Sequence, residues 1–229
     1  MLQDAVVQKK YDDLFISSKT NLLNNAVQAD AHLNELENDK RLGLSLLIPV
    51  TGEAAASFRK VILSLNELEA NQYYYPAADL HVTVLGLIAA SDGFVLSDEK
   101  MEKYRRAINA SVKGVSGFEI AFKGLTCSNA AVMAQGFFGW QLPKLRESLR
   151  EEVQKNGLEL KERYELKTAH ATLMRFKEKL GEPEKFVEKI QELRDFEFGS
   201  MNVEKILLVC HDWYNRKEKT NVLGEYALA

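Results

Sequence analysis

The chain is poor in the residues that mark redox, metal-bound or membrane proteins. It has two cysteines, Cys127 and Cys210, and no CxxC pair, so neither a disulfide framework nor a zinc-type spacing is present. Two reduced, mostly buried thiols of a cytoplasmic protein are expected. No segment approaches the roughly 18 apolar residues of a membrane span, and Met1 to Lys10 holds an acid and two lysines where a signal peptide would be apolar. Neither charge dominates: 30 Lys and Arg against 33 Asp and Glu give a net charge of -3. No global basic field therefore gathers duplex DNA, and a phosphate-bearing ligand would have to be small or short and held by local groups. What is present is ordinary for a globular protein, with 46% apolar and 28% charged residues in 229. That length suits one large domain or two small lobes.

Residues 1–40 read as an N-terminal helical extension to a body of residues 41–229. Leu22, Ala26, Ala29, Leu33 and Leu36 are spaced 4, 3, 4 and 3, an apolar stripe on one helix face, and Lys40, Arg41 and Gly43 resemble a helix end. His32 lies off the stripe as a surface residue. The segment can pack on the body or pair with a second copy as a homodimer, and the pattern leaves both open.

From Gly43 onward short strands alternate with helices. Apolar runs predict strands over residues 44–50, 80–88 and 169–176, and 118–126 with 131–138 reads as a hairpin around a Ser-Asn turn. Helices are expected over 54–68, from Ser97, from Pro143 to Gly157 and over 183–193, with closing strands at 196–201, 206–213 and 222–228. Hairpins and this strand density predict an α+β protein of two similar lobes, with sheets at least partly antiparallel.

Two of the four histidines head the same pattern, His81-Val82-Thr83-Val84 and His170-Ala171-Thr172-Leu173, 89 residues apart. Side chains alternate along a strand, so each motif sets an imidazole beside a hydroxyl, roughly 6.5–7 Å apart at Cα, over an apolar back. A lone strand histidine is more often a packed residue satisfied by a carbonyl. By composition, two of four histidines in this pattern is an event on the order of one in 500. Thr is not a usual zinc ligand and no third ligand has metal spacing, so neither metal nor cofactor is expected. Imidazole titrates near neutrality, so one ring can accept a proton while the other gives one, and the hydroxyls can hold charged oxygens.

These motifs resemble those of the 2H phosphoesterase superfamily, the bacterial 2′-5′ RNA ligases (LigT-like proteins) and 2′,3′-cyclic nucleotide phosphodiesterases. Pro76 to Leu80 is similar to the family's lead-in to its first histidine strand, and His170 to Arg175 to its extended second motif. The closing strands are similar too. Gly86 stands where many LigT-like members carry a bulky apolar residue. The likeness spans residues 44–228. It implies a bilobal fold of mostly antiparallel sheet, helices outside, and the two histidine strands facing each other across an open central cleft. It also implies a catalytic set of His81, Thr83, His170 and Thr172 acting on a nucleotide or short RNA with a 2′,3′-cyclic phosphate or 2′-5′ linkage, and leaving a 2′-phosphate.

Further substrate-binding candidates are Arg175, Tyr73 and Tyr75. Arg175 has the wrong parity to share the face of His170 in a regular strand; it either reaches phosphate from a twisted end or is a surface charge. The tyrosines either stack a base or pack their loop. His211 and Asp212, adjacent on a strand, point oppositely and are not expected to pair directly. A non-catalytic module that holds an RNA end or nucleotide in the same cleft is the alternative, although binding alone needs no pair of proton-transfer groups.

Overall fold

The computed structural model describes residues 2–160, 162 and 165–229. The N-terminal helix α1 runs Leu2–Leu23 and buries Val7, Tyr11, Phe15, Ser18 and Leu22, spacings of 4, 4, 3 and 4 that form one face. The chain then turns at Asn25, whose φ is 52°, a conformation asparagine tolerates better than most residues. The expected stripe over residues 22–36 is therefore not one helix face. Leu22 lies in the last turn of α1, Ala26 and Ala29 lie in irregular chain after it, and Leu33 and Leu36 fall in two single-turn 3₁₀ segments. The apolar face of α1 is covered by the protein's own sheet and helix α5, Pro183–Glu192. His32 is exposed, as its position off the stripe predicts.

The body follows the predicted order with small shifts in boundaries and one further two-residue strand in the aromatic stretch before His81. Strand β1 is Leu42–Pro49, helix α2 Gly52–Leu68, β2 the two residues Tyr73–Tyr74, and β3 His81–Ser91. Helix α3, Asp98–Val112, starts at Ser97, whose hydroxyl accepts the Lys100 N–H while Asp98 and Glu99 occupy the positive end. β4, Phe118–Cys127, and β5, Ala131–Phe138, form the hairpin, with Ser128 Oγ accepting from Ala130 and Ala131. Helix α4 runs Gln141–Lys155 and stops at Gly157, whose φ is +70°. Pro143 sits inside the first turn, where the N–H it lacks has no helical partner to serve. The remaining strands are β6 Ala171–Arg175, β7 Glu197–Val203, β8 Lys205–Asp212 and β9 Asn221–Ala227. Among the described residues no helix is long and apolar enough to cross a membrane.

The strands form one curled sheet in the order β7-β4-β5-β6-β3-β1-β8-β9, with β2 on β6 and every pairing antiparallel. Its two halves, β7-β4-β5-β6 and β3-β1-β8-β9, are the lobes. They meet at β3 and β6 through a single partnered pair, Val82 and Ala171. Each lobe sends a helix to the other. α2 leaves β1 but packs on β7, with Phe58 meeting Phe198 of β7 and Phe122 of β4 edge-on at 5.0 Å. α4 leaves β5 but packs on β3 and α3. The segment after α1 adds a brace: Asn25 and Asp30 bond Leu180 and Phe176 in the second lobe, and Leu36 accepts from Arg216 in the first.

One buried charge crosses the same joint. Arg146 of α4 is 2% exposed. Its Nε donates to the Val84 carbonyl at 2.8 Å, and its Nη2 to the carbonyls of Thr83 and Thr168 at 3.0 and 2.7 Å. One guanidinium thus pins β3 to the segment that leads into His170. Replacing Arg146 with Met would leave three carbonyls unsatisfied, a loss of about 2–5 kcal/mol. Arg146→Lys should recover only part of it, because an ammonium lacks the fork. Urea unfolding checks this: the midpoint should fall in the order wild type, Lys, Met. An unchanged midpoint in the Met variant would rule out the clamp.

Candidate active site

The seam between the lobes sets the geometry of the two motifs. Val82 and Ala171, the partnered pair, are both 0% exposed and face the core. One residue to either side, antiparallel pairing sets Thr83 opposite His170 and His81 opposite Thr172. All four are partly open, on the face away from the core. Each imidazole therefore faces the hydroxyl of the other strand, with the two histidines on a diagonal. Spacings of about 5 Å across and about 6.7 Å along the strands give a diagonal near 8 Å at Cβ, enough for one tetrahedral anion between ring nitrogens. The expected picture of two strands on separate walls needs correction. They are neighbours in one sheet for a single pair, and the cleft opens where their pairing ends.

Each ring is held through Nδ1, leaving Nε2 for the cleft. His81 Nδ1 lies 2.7 Å from the Asp79 backbone carbonyl; a carbonyl only accepts, so Nδ1 carries the proton. The Asn215 amide stands 3.2 Å from the same nitrogen, and the Tyr75 ring approaches the imidazole at a steep angle, 6.5 Å between centroids. His170 Nδ1 is 2.9 Å from the Thr168 hydroxyl. Burial pushes both imidazoles down to about 4. The Asp79 carbonyl works against this at His81, whereas at His170 the nearby Arg146 charge adds to it. Both rings are thus neutral at pH 7 in the free protein.

Strand irregularities decide which further side chains reach the face. β6 pairs Met174 with Val132 but Thr172 with Met133, so Leu173 is an extra residue. Leu173 and Met174 are both buried, and parity flips after them. Arg175 consequently shares the face of His170 and Thr172, correcting the expectation drawn from a regular strand. Its Nε donates to the Tyr75 hydroxyl at 2.8 Å. β3 has the same device: Leu85 pairs with Leu46 but Thr83 with Leu47, leaving Val84 as the extra residue. Gly86 thereby stands in the first motif where Arg175 stands in the second, five residues after each histidine.

Tyr75 is 3% exposed, so it presents no open ring face and serves instead as the rest for Arg175. Tyr73 is half-buried and forms an aromatic group with Tyr75 and Tyr214, at 5.2 and 5.5 Å. His211 and Asp212 make no side-chain pair. His211 Nδ1 meets the Asp212 backbone carbonyl and its Nε2 meets Ser45 Oγ at 2.8 Å, while the Asp212 carboxylate accepts from Arg216. Among the described residues no group of three or more His, Cys, Asp or Glu could hold a metal ion.

Several residues of the site were not singled out from the sequence. The Asp79 carbonyl and Thr168 hold the rings, and Ser45 meets His211 from β1. Arg146 carried a signal: it interrupts the apolar stripe Leu142, Leu145, Leu149 and Val153 of α4, where a charge is expected only if its donors are all used.

A search of curated proteins gave no match. Among solved structures, TT0787 of Thermus thermophilus superposes with a TM-score of 0.60 at 17% identity, covering 82% of this chain and 97% of its own. E. coli LigT complexed with 3′-AMP gives 0.56 at 17%, covering 82% and 99%, and LigT complexed with phosphate 0.54 at 17%, covering 83% and 99%. These likenesses establish the fold. The sequence profile described as the AKAP7 2′5′ RNA ligase-like domain matches residues 42–221, well over half of the chain, and the protein therefore belongs to that family, within the LigT-like 2H phosphoesterases.

Proposed function

We propose that the protein is a metal-independent phosphodiesterase that opens a 2′,3′-cyclic phosphate or a 2′-5′ phosphodiester bond in a nucleotide or short RNA. The observation that carries the reading is the pairing of Val82 with Ala171, which sets His81 and His170 on a diagonal, together with the hold on each ring through Nδ1. Structures of LigT with 3′-AMP and with phosphate support a nucleotide phosphate as the ligand class. In this reading His170 takes the proton of the attacking water and His81 gives one to the departing ribose oxygen. Hydrolysis of the cyclic ester then breaks the bond to the 3′-oxygen and leaves a 2′-phosphate. Arg146 disfavours a resting charge on His170, which suits a base. The Asp79 carbonyl stays bonded to Nδ1–H when Nε2 is protonated, which suits an acid. Thr83, Thr172 and Arg175, the last steadied by Tyr75 beside Tyr73, hold the non-bridging oxygens.

The roles separate by leaving group. On a 2′,3′-cyclic nucleotide in EDTA, His81→Ala and His170→Ala should each lose about 10²–10⁴-fold in kcat. On a p-nitrophenyl ester of a nucleoside 3′-phosphate, whose leaving group needs no proton, His81→Ala should recover most of its activity and His170→Ala should not. Undiminished turnover in either variant on the cyclic substrate would sink the mechanism. Tight ligand binding without turnover of any ester by the wild type would favour the non-catalytic module.

A second expectation concerns protons. With both imidazoles near 4 when free, a bound anion must raise at least one of them. Anion binding should therefore take up protons and tighten as pH falls from 7 towards 5. Sulfate keeps its charge over that range, and calorimetry in buffers of different ionisation enthalpy counts the protons. No uptake would mean that the anion does not sit between the rings.

A further inference from the structure

Five of the six glycines inside the strands have a packing or backbone reason. A Cβ on Gly43 or Gly136 would come within 2.7 or 1.9 Å of a carbonyl oxygen, Gly124 and Gly199 have positive φ, and a Cβ on Gly224 would press on the Tyr226 hydroxyl at 3.0 Å and its ring at 3.1 Å. Gly86 has none of these: its φ is ordinary and an added Cβ would meet no atom within 4 Å. A glycine inside a strand weakens it and marks either a bulge, such as the one at Val84, or the close approach of a ligand; the open space above Gly86 favours the second.

The space above Gly86 is a cavity of about 210 Å³ that also touches Thr83, His170 and Arg175. Such a volume is below the roughly 300–1,000 Å³ of pockets that enclose whole drug-sized ligands, and suits one flat ring. Ile88, Leu166 and Trp213 give it apolar walls, and Arg41, stacked on the Trp213 ring at 4.8 Å, fixes that ring. The Ser45 hydroxyl and His211 imidazole, bonded to each other, supply a polar edge. Because the bulge at Val84 turns Gly86 to the face of Thr83, a ring placed there is attached on the side where the phosphate would lie.

We infer that Gly86 is a specificity-determining residue: its missing side chain opens a subsite, walled by Trp213 and edged by Ser45 and His211, for the nucleobase of the nucleotide whose phosphate lies between the histidines. The inference rests on the reading given under Proposed function. It assigns the cleft a direction, with the base over the first lobe at Gly86 and the phosphate charge met by Arg175 of the second.

Calorimetry of the full chain with adenosine 3′-phosphate and with inorganic phosphate tests it. The wild type should bind the nucleotide at least tenfold more tightly than phosphate. Gly86→Leu should lower nucleotide affinity at least tenfold while phosphate affinity stays within twofold, and Gly86→Ala should give a smaller loss of the same kind. Neither should lower the melting temperature, since the added atoms enter open space. A nucleotide preference that survives Gly86→Leu, or equal loss of both ligands, would overturn the subsite. Wild type that binds phosphate without preferring the nucleotide overturns the subsite but leaves the phosphate centre standing, whereas wild type that binds neither overturns both.

Discussion

The two lobes meet at one strand pair, and the geometry of the site depends on that joint staying in register. A slip of one residue between β3 and β6 would turn every side chain of one motif to the opposite face. Val82 and Ala171 alone are partnered there, so the register has to be held from outside the ladder. Arg146 does this from below, bonding the backbone of both motif segments at once. Taking a guanidinium out of water costs several kcal/mol, and three carbonyls offset part of it. The same charge biases His170 towards its neutral form, so one residue acts on both the shape and the electrostatics of the centre. The exchange of α2 and α4 between lobes stiffens the joint further.

Each histidine strand keeps the same device, a bulge just beyond the threonine, and uses it differently. In β6 it brings Arg175 up to the face of His170 and Thr172, with Tyr75 fixing the guanidinium. In β3 it brings up Gly86 and so presents empty space. The paired frames place two imidazoles and two hydroxyls in near-equivalent positions, and the residues after the bulges make the two sides of the cleft unlike.

The N-terminal segment belongs to this arrangement and is not an appendage to it. The Tyr11 hydroxyl bonds both the carbonyl and the N–H of Gly136 in β5. Gly136 in turn lies so close to the Ala169 carbonyl that no side chain would fit between them, and Ala169 precedes His170. Packing from α1 thus reaches the second motif through two contacts. The brace over residues 25–36 then crosses to the first lobe, where Asp30 accepts from the Tyr214 hydroxyl beside Tyr73.

The sequence by itself determined the strand and helix order and the two motifs. These are written in local periodicity: alternation of apolar residues in strands, spacings of three and four in helices, and a histidine two residues from a threonine on one face. Helix ends at Ser97 and Gly157 and the Ser-Asn turn were legible for the same reason, since caps and turns depend on near neighbours. The reading failed where a pattern was local but its meaning was not. The stripe from Leu22 to Leu36 has helical spacing, yet the turn at Asn25 and bonds to distant segments unwind it, because the Gln28 and Asp30 N–H groups donate to the Asn129 and Phe176 carbonyls instead of to a helix of their own. Parity misplaced Arg175, since a bulge exists only relative to the neighbouring strand. The adjacency of the motifs, the clamp at Arg146, the space over Gly86 and the neutral state of both imidazoles were decided by tertiary structure alone. Each arises from groups far apart in the chain, and register, burial and charge are properties of what surrounds a residue.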